Sequence, residues 1–166
     1  MKLDVRTILL LSHQNKNELL LLKRHASKKL FPDLMTGIGG KVELERGEGE
    51  QLIESMWREF KEETNIPKEI TNNVKLRLTT IHKRSNLLIN LLWFTGDLTE
   101  TPDNLSCTEG TLHFISKDNL PKKQMIPTAY EAIHFICRLP DSDENYYNGC
   151  FQIEEGRGVK LHIHKN

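Results

Sequence analysis

The sequence predicts an α/β fold built on a mixed sheet, and three observations carry that expectation. Short apolar segments of strand length recur along the chain, several joined by tight polar turns that pair neighbours antiparallel. Two longer segments carry the 3.6-residue apolar spacing of helices. These elements are mixed without the regular strand–helix–strand alternation of a fully parallel sheet. At 166 residues the chain suits one domain, residues 1–166, with a proper core.

Residues 5–11 read as a buried strand, the polar run 12–17 as a turn, and 18–23 as the returning strand. A basic loop follows, with Lys23, Arg24, His25, Lys28 and Lys29. It is either solvated surface or an anion-attracting rim beside a phosphate site. Gly37, Gly39 and Gly40 mark a backbone that turns sharply or approaches a ligand. Residues 48–64 form the clearest helix. Residues 74–83 and 87–97 read as two long strands around the turn Arg84-Ser85-Asn86, and 111–115 as a short strand. Residues 128–139 form a second helix, with Pro127 tolerated at its first position and Pro140 ending it. The polar loop 141–148 leads to a closing hairpin, 150–154 and 159–163, around Gly156-Arg157-Gly158.

Lys+Arg equals Asp+Glu at 23 each, so the net charge gives no bulk reason to expect nucleic-acid or membrane partners. The apolar runs 8–11 and 19–22 are too short to span a bilayer, and the charged N-terminus is unlike a signal peptide. A cytoplasmic location is expected. Cys107, Cys137 and Cys150 show no C-x-x-C spacing, which argues against a disulfide framework or a structural zinc site.

The first helix carries the chemistry. On a wheel at ~100° per residue, Ile53, Met56, Trp57 and Phe60 share an arc that buries against a sheet. Glu59, Glu62 and Glu63 fall together on the neighbouring arc. Like charges at that spacing destabilise a helix by roughly 0.2–0.5 kcal/mol per pair in water, and by more near a core. A divalent cation with oxygen ligands offsets that repulsion. The plainer alternative is a solvated acidic stripe. Two features weigh against that alternative: the carboxylates border the apolar arc, and the turn Gly37-Ile38-Gly39-Gly40 precedes the helix.

Residues 40–66 resemble the Nudix box, G-x5-E-x7-R-E-U-x-E-E-x-G-U with U aliphatic. Glu50 is followed by seven residues and then Arg58-Glu59-Phe60-Lys61-Glu62-Glu63-Thr64-Asn65-Ile66, with every charged position present. There are three departures. Nine residues separate Gly40 from Glu50, so residues 44–49 contain an insertion, and Glu48 competes with Glu50 for the first acidic position. Phe60 replaces an aliphatic residue. Asn65 replaces a glycine, and since Asn tolerates a left-handed C-cap the turn is expected to be kept. Downstream, Glu109-Gly110-Thr111-Leu112-His113-Phe114 is similar to a segment of these enzymes in which an acid precedes a strand.

The resemblance implies a Nudix α/β/α sandwich with a mixed central sheet. It implies metal-dependent hydrolysis of a diphosphate linkage in a nucleoside diphosphate joined to another group. The leading substrate class is a nucleoside or deoxynucleoside triphosphate, oxidised (8-oxo-dGTP-like) ones included, releasing nucleoside monophosphate and pyrophosphate. It implies Mg²⁺, with Mn²⁺ as a substitute, held by Glu59, Glu62, Glu63 and the Gly39 carbonyl. Arg58 would orient carboxylates through Glu50 or Glu62. Lys41 and Gly40 would face substrate phosphate, and Glu59 and Glu109 are the two candidates for the general base. A small nucleotide is the expected partner, and a homodimer is left open. The alternative is a catalytically inactive Nudix domain that binds a nucleotide or regulates a partner; loss of box glutamates would favour it, and none is lost. An isomerase of prenyl diphosphates on the same scaffold would need a cysteine in the pocket.

Other features weigh less. His162 and His164 would share a strand face, where an exposed terminal strand is a simpler account than a metal pair. Asp141, Asp143 and Asn145 mimic the start of a calcium loop, but Tyr146 and Gln152 stand where that loop needs glycine and glutamate. Trp93, Phe94 and Trp57 read as core.

Overall fold

The computed structural model describes residues 1–43, 51–154 and 158–164. In it nine strands form one sheet: β1 (Lys2–His13), β2 (Glu18–Arg24), β3 (Met35–Thr36), β4 (Thr71–Arg84), β5 (Leu87–Leu98), β6 (Ser106–Cys107), β7 (Gly110–Ser116), β8 (Tyr147–Glu154) and β9 (Gly158–His164). Their order is β6-β7-β2-β1-β5-β4-β8-β9, with β3 paired to β2. β1 runs parallel to β5 from Lys2↔Leu87 to His13↔Leu98, and β4 runs parallel to β8. The pairs β1–β2, β2–β7, β4–β5 and β8–β9 are antiparallel, so the sheet is mixed as expected.

β1 and β2 are apolar on consecutive residues because both faces of the sheet are covered. Side chains alternate between faces with period two. Leu9 and Leu11 of β1 therefore join Leu20, Leu22, Leu92 and Phe94 on one face, under Met56 and Phe60 of helix α1 (Leu52–Glu63). Ile8 and Leu10 join Leu19, Leu21, Leu91 and Trp93 on the other, under Ala129, Ala132 and Ile133 of helix α2 (Pro127–Cys137). Trp93 is fully buried and donates its indole N–H to Thr80 Oγ1 at 2.9 Å, so the core reading of Trp93 and Phe94 holds. Among the described residues no helix is long and apolar enough to cross a membrane.

Several expectations need correction. Ile53 is 42% exposed and not part of the buried arc. α1 starts at Leu52, its first turn stands clear of the core, and burial begins at Ser55 and Met56, one turn on. Asn65 does not adopt a left-handed cap: positive φ among the described non-glycine residues is confined to Phe31, Asp33, Asn73 and Ser85. The helix instead ends as Thr64 turns extended, its N–H and hydroxyl both returning to the Phe60 carbonyl. Asn65 donates its side-chain amide to Ser106 Oγ at 2.6 Å. The loop predicted over 141–148 is shorter, because β8 already begins at Tyr147. Its Asp143 is held by Arg77, Tyr147 and Asn145, a structural employment that agrees with the rejected calcium loop. The insertion at 44–49, with Glu48 and Glu50, lies outside the described residues, as do Gly156 and Arg157.

What positions the site is the segment after β3. It runs antiparallel beside β1, with Leu9 N–H bonded to the Ile38 carbonyl at 2.6 Å, Thr7 N–H to that of Gly40 at 3.0 Å, and Val42 N–H to that of Val5 at 2.8 Å. The same face of the sheet that carries α1 therefore has the glycines at its border.

Candidate active site

Helix α1 and the glycine segment meet at one corner. Glu59 packs directly on Gly40: a Cβ there would stand 2.1 Å from Glu59 Oε2. The buried Glu63 accepts a hydrogen bond from the Gly39 N–H at 3.3 Å. Gly39 has φ of +148°, and a Cβ on it would stand 2.1 Å from the Thr7 carbonyl oxygen. What these glycines approach closely is the backbone of β1 and the carboxylates of Glu59 and Glu63.

Arg58 supplies countercharge. Its Nη1 donates to Glu59 Oε1 at 2.8 Å and to Glu62 Oε2 at 3.2 Å, and its Nη2 to the Lys41 carbonyl at 3.0 Å. The expected contact with Glu62 is present, with one to Glu59 added; Glu50 lies outside the described residues. Glu62 is 60% exposed and leans toward Arg58. The Lys41 side chain is exposed, and the part of it that joins the corner is its carbonyl.

Glu109 arrives from the turn between β6 and β7. Thr108 N–H donates to the Glu63 carbonyl at 2.9 Å, and a bridge joins Thr64 to Cys107, so this turn is fastened to the end of α1. Glu109 is ion-paired with Lys28. The Glu63 carboxyl is pushed up to about 8, first by burial and then by the negative charges of Glu59 and Glu109, against the Gly39 N–H and Lys28. Cys107 is half-buried beside the same carboxylates, and its thiol is pushed up chiefly by burial. That is the opposite of what a nucleophilic thiolate needs, so the one cysteine near the corner lends no support to the isomerase reading. Sequence reasoning does not place Cys107 or Lys28 here; the basic loop's anion-attracting rim is the one signal for the latter.

Among the described residues no three His, Cys, Asp or Glu side chains are grouped closely enough to hold a metal ion as they stand. The donor set nonetheless fits a hard divalent cation. Oxygen ligands are concentrated, Glu63 is buried among like charges that resist ionisation, and only a missing Cβ leaves Glu59 its place. His162 and His164 lie on edge strand β9, far along the sheet order from this corner.

A pH dependence follows. In the unfolded chain Glu63 ionises near 4.5, and in the folded, metal-free chain near 8. Between those values the folded state holds a proton that the unfolded state has released. Its stabilising contribution is thus full below about pH 4.5 and is lost as pH rises toward 8. Thermal unfolding in a chelating buffer should give a melting temperature that falls across this window. Divalent cation should restore it most at the alkaline end, because a ligating carboxylate must be ionised. A flat profile would contradict the burial of this carboxyl.

A family model described as the NUDIX domain matches residues 2–134. None of the curated proteins matches the chain. Among solved structures, a mutator MutT protein from Bacillus halodurans is similar with a TM-score of 0.64 and 19% identity, over 96% of this chain and 97% of that one. A NUDIX hydrolase from Nitrosomonas europaea is similar with a TM-score of 0.65 and 15% identity, over 90% and 79%. The E. coli dihydroneopterin triphosphate pyrophosphohydrolase is similar with a TM-score of 0.63 and 17% identity, over 80% and 94%. At these identities the structures speak for the fold, and the family model speaks for the family.

Proposed function

The chain belongs to the NUDIX domain family of pyrophosphohydrolases, and from that premise we propose that it hydrolyses a nucleoside or deoxynucleoside triphosphate, oxidised ones such as 8-oxo-dGTP included, to nucleoside monophosphate and pyrophosphate in a Mg²⁺-dependent reaction. Members act on nucleoside diphosphates linked to a further group, so the triphosphate is the narrower part of the proposal. The observation that carries the reading is the convergence of Glu59 and Glu63 on the Gly39–Gly40 backbone, with Arg58 bridging Glu59 to Glu62. One structural neighbour is named for a triphosphate substrate, and triphosphates are accordingly the first compounds to try.

Glu59, Glu62, Glu63 and the Gly39 carbonyl would hold Mg²⁺, or Mn²⁺ in its place. When bound, such an ion neutralises diphosphate oxygens and lowers the pKa of an attacking water. The chain does the rest. Arg58 fixes the rotamers of Glu59 and Glu62, so the carboxylates do not have to be ordered at the moment of reaction. Gly40 and the Lys41 ammonium would meet substrate phosphate beside the corner. The negative charges of Glu59 and Glu109 both act on Glu63, and each is a candidate to take the proton from the water.

The test is turnover with Mg²⁺ across nucleoside triphosphates, 8-oxo-dGTP, nucleotide sugars, dinucleoside polyphosphates and capped RNA, for the wild type and Glu62→Gln. The wild type should release monophosphate and pyrophosphate from a triphosphate. Glu62→Gln, which loses a ligand charge and the ionic part of the Arg58 bond, should be slower by about 10–100-fold or more. Equal inactivity of both proteins across the panel would replace the enzyme by a nucleotide-binding module.

A further inference from the structure

Lys28 lies on the connection between β2 and β3, outside the glutamate corner itself. Its ammonium is ion-paired with Glu109. The backbone fastens the two loops together: His25 N–H donates to the Glu109 carbonyl at 3.1 Å, and Lys28 N–H to the His25 carbonyl at 3.1 Å. The β2–β7 register closes on the same spot, with Lys23 opposite Thr111 and Arg24 opposite Gly110. Gly110 permits the approach, since a Cβ there would stand 1.9 Å from the Lys23 carbonyl oxygen. On its other side the turn is tied to the end of α1 through Thr108. Glu109 thus pairs with Lys28 while its charge, like that of Glu59, is felt by the buried Glu63 carboxyl of the corner. Its side chain is about a third exposed, so water is within reach if nothing holds it back.

We propose that Lys28 is a positioning residue for the hydrolytic reaction, holding the Glu109 carboxylate at the rim of the Glu59–Glu63 corner. The proposal rests on the Nudix hydrolase reading. Lys28 acts through Glu109 and not through substrate: its ammonium holds a carboxylate that is otherwise free to turn into water. An arginine reaches the same carboxylate and should substitute. A lysine that gripped substrate phosphate instead would act on substrate binding, raising KM with kcat unchanged.

The experiment is a double-mutant cycle of Lys28→Met and Glu109→Gln, with Lys28→Arg as the rescue variant. It is read in two ways: steady-state kinetics on the best triphosphate, and thermal unfolding of the metal-free chains. Glu109→Gln should lower kcat by about a hundredfold, within the range of a lost general base or its like. Lys28→Met should lower kcat by about tenfold with KM within about twofold, and added to Glu109→Gln it should cost nothing further. Lys28→Arg should recover most of kcat. In the metal-free chains Lys28→Met should lower the melting temperature by about 2–4 °C with Glu109 present and by clearly less when Glu109→Gln is also present. A KM effect without a kcat effect, or multiplicative losses in the double variant, overturns the proposal while leaving the enzyme reading intact. If no triphosphate is turned over, the enzyme reading fails by itself. An additive thermal cycle then shows independently that Lys28 does not hold Glu109.

Discussion

Glu63→Gln is expected to abolish Mg²⁺-dependent turnover while making the metal-free chain more stable at pH 8. Those two effects are opposed, and a purely structural glutamate would not produce both. The substitution keeps the shape of the side chain and keeps an oxygen to accept the Gly39 N–H. What it removes is a buried negative charge that Glu59 and Glu109 resist. Without metal that charge costs free energy, so its removal should raise the melting temperature at pH 8, by roughly 2–4 °C for each kcal/mol relieved. With metal the same charge is a ligand. Its loss should exceed the roughly 10–100-fold penalty of losing an outer-shell partner. Turnover rates with Mg²⁺ and thermal scans in chelator, taken on the same preparation, read both effects. A variant that is less stable without metal would show Glu63 to be a core residue and nothing more.

Gly39→Ala should have the largest effect on stability. Two strains act at once. The residue sits at φ +148°, where an L side chain is rarely accommodated, and its Cβ would meet the Thr7 carbonyl oxygen at 2.1 Å. That oxygen belongs to the backbone of β1, which is paired with β5 along its whole length and cannot retreat. A loss of roughly 3 kcal/mol or more is expected, or about 6–12 °C in melting temperature. Gly40→Ala is the instructive contrast. There the Cβ would meet the end of the Glu59 side chain, which can rotate away. Gly40→Ala should therefore fold close to normally and lose turnover. Differential scanning calorimetry of the two variants separates them, and equal melting temperatures would contradict the close approach of the glycine segment to β1.

Much of this was legible in the sequence because it is local. The apolar runs of β1 and β2, the period of α1, and the placing of Glu59, Glu62 and Glu63 on one helix all rest on residues close together in the chain. Arg58 could be paired with Glu62 from the i,i+4 rule alone. The rest depends on which strand lies beside which. β3 and β6 are two residues each, too short to carry a period, and exist because of their partners β2 and β7. The exposure of Ile53 depends on where α1 begins relative to the sheet, which a helical wheel does not contain. Asn65 read locally as a helix cap, but a tertiary bond to Ser106 and the extended Thr64 set its conformation. Lys28 and Glu109 are brought together by the β2–β7 register, and neither stretch announces the other.

The proposed hydrolysis requires a divalent ion gathered by α1 against the glycine corner. The direct measurement is a crystal soaked in Mn²⁺ and examined at the manganese absorption edge. An anomalous peak is expected in contact with carboxylate oxygens of Glu59 and Glu63 and beside the Gly39–Gly40 backbone, with Arg58 still ordering the carboxylates around it. Well-ordered carboxylates at saturating Mn²⁺ with no peak among them would contradict the metal site.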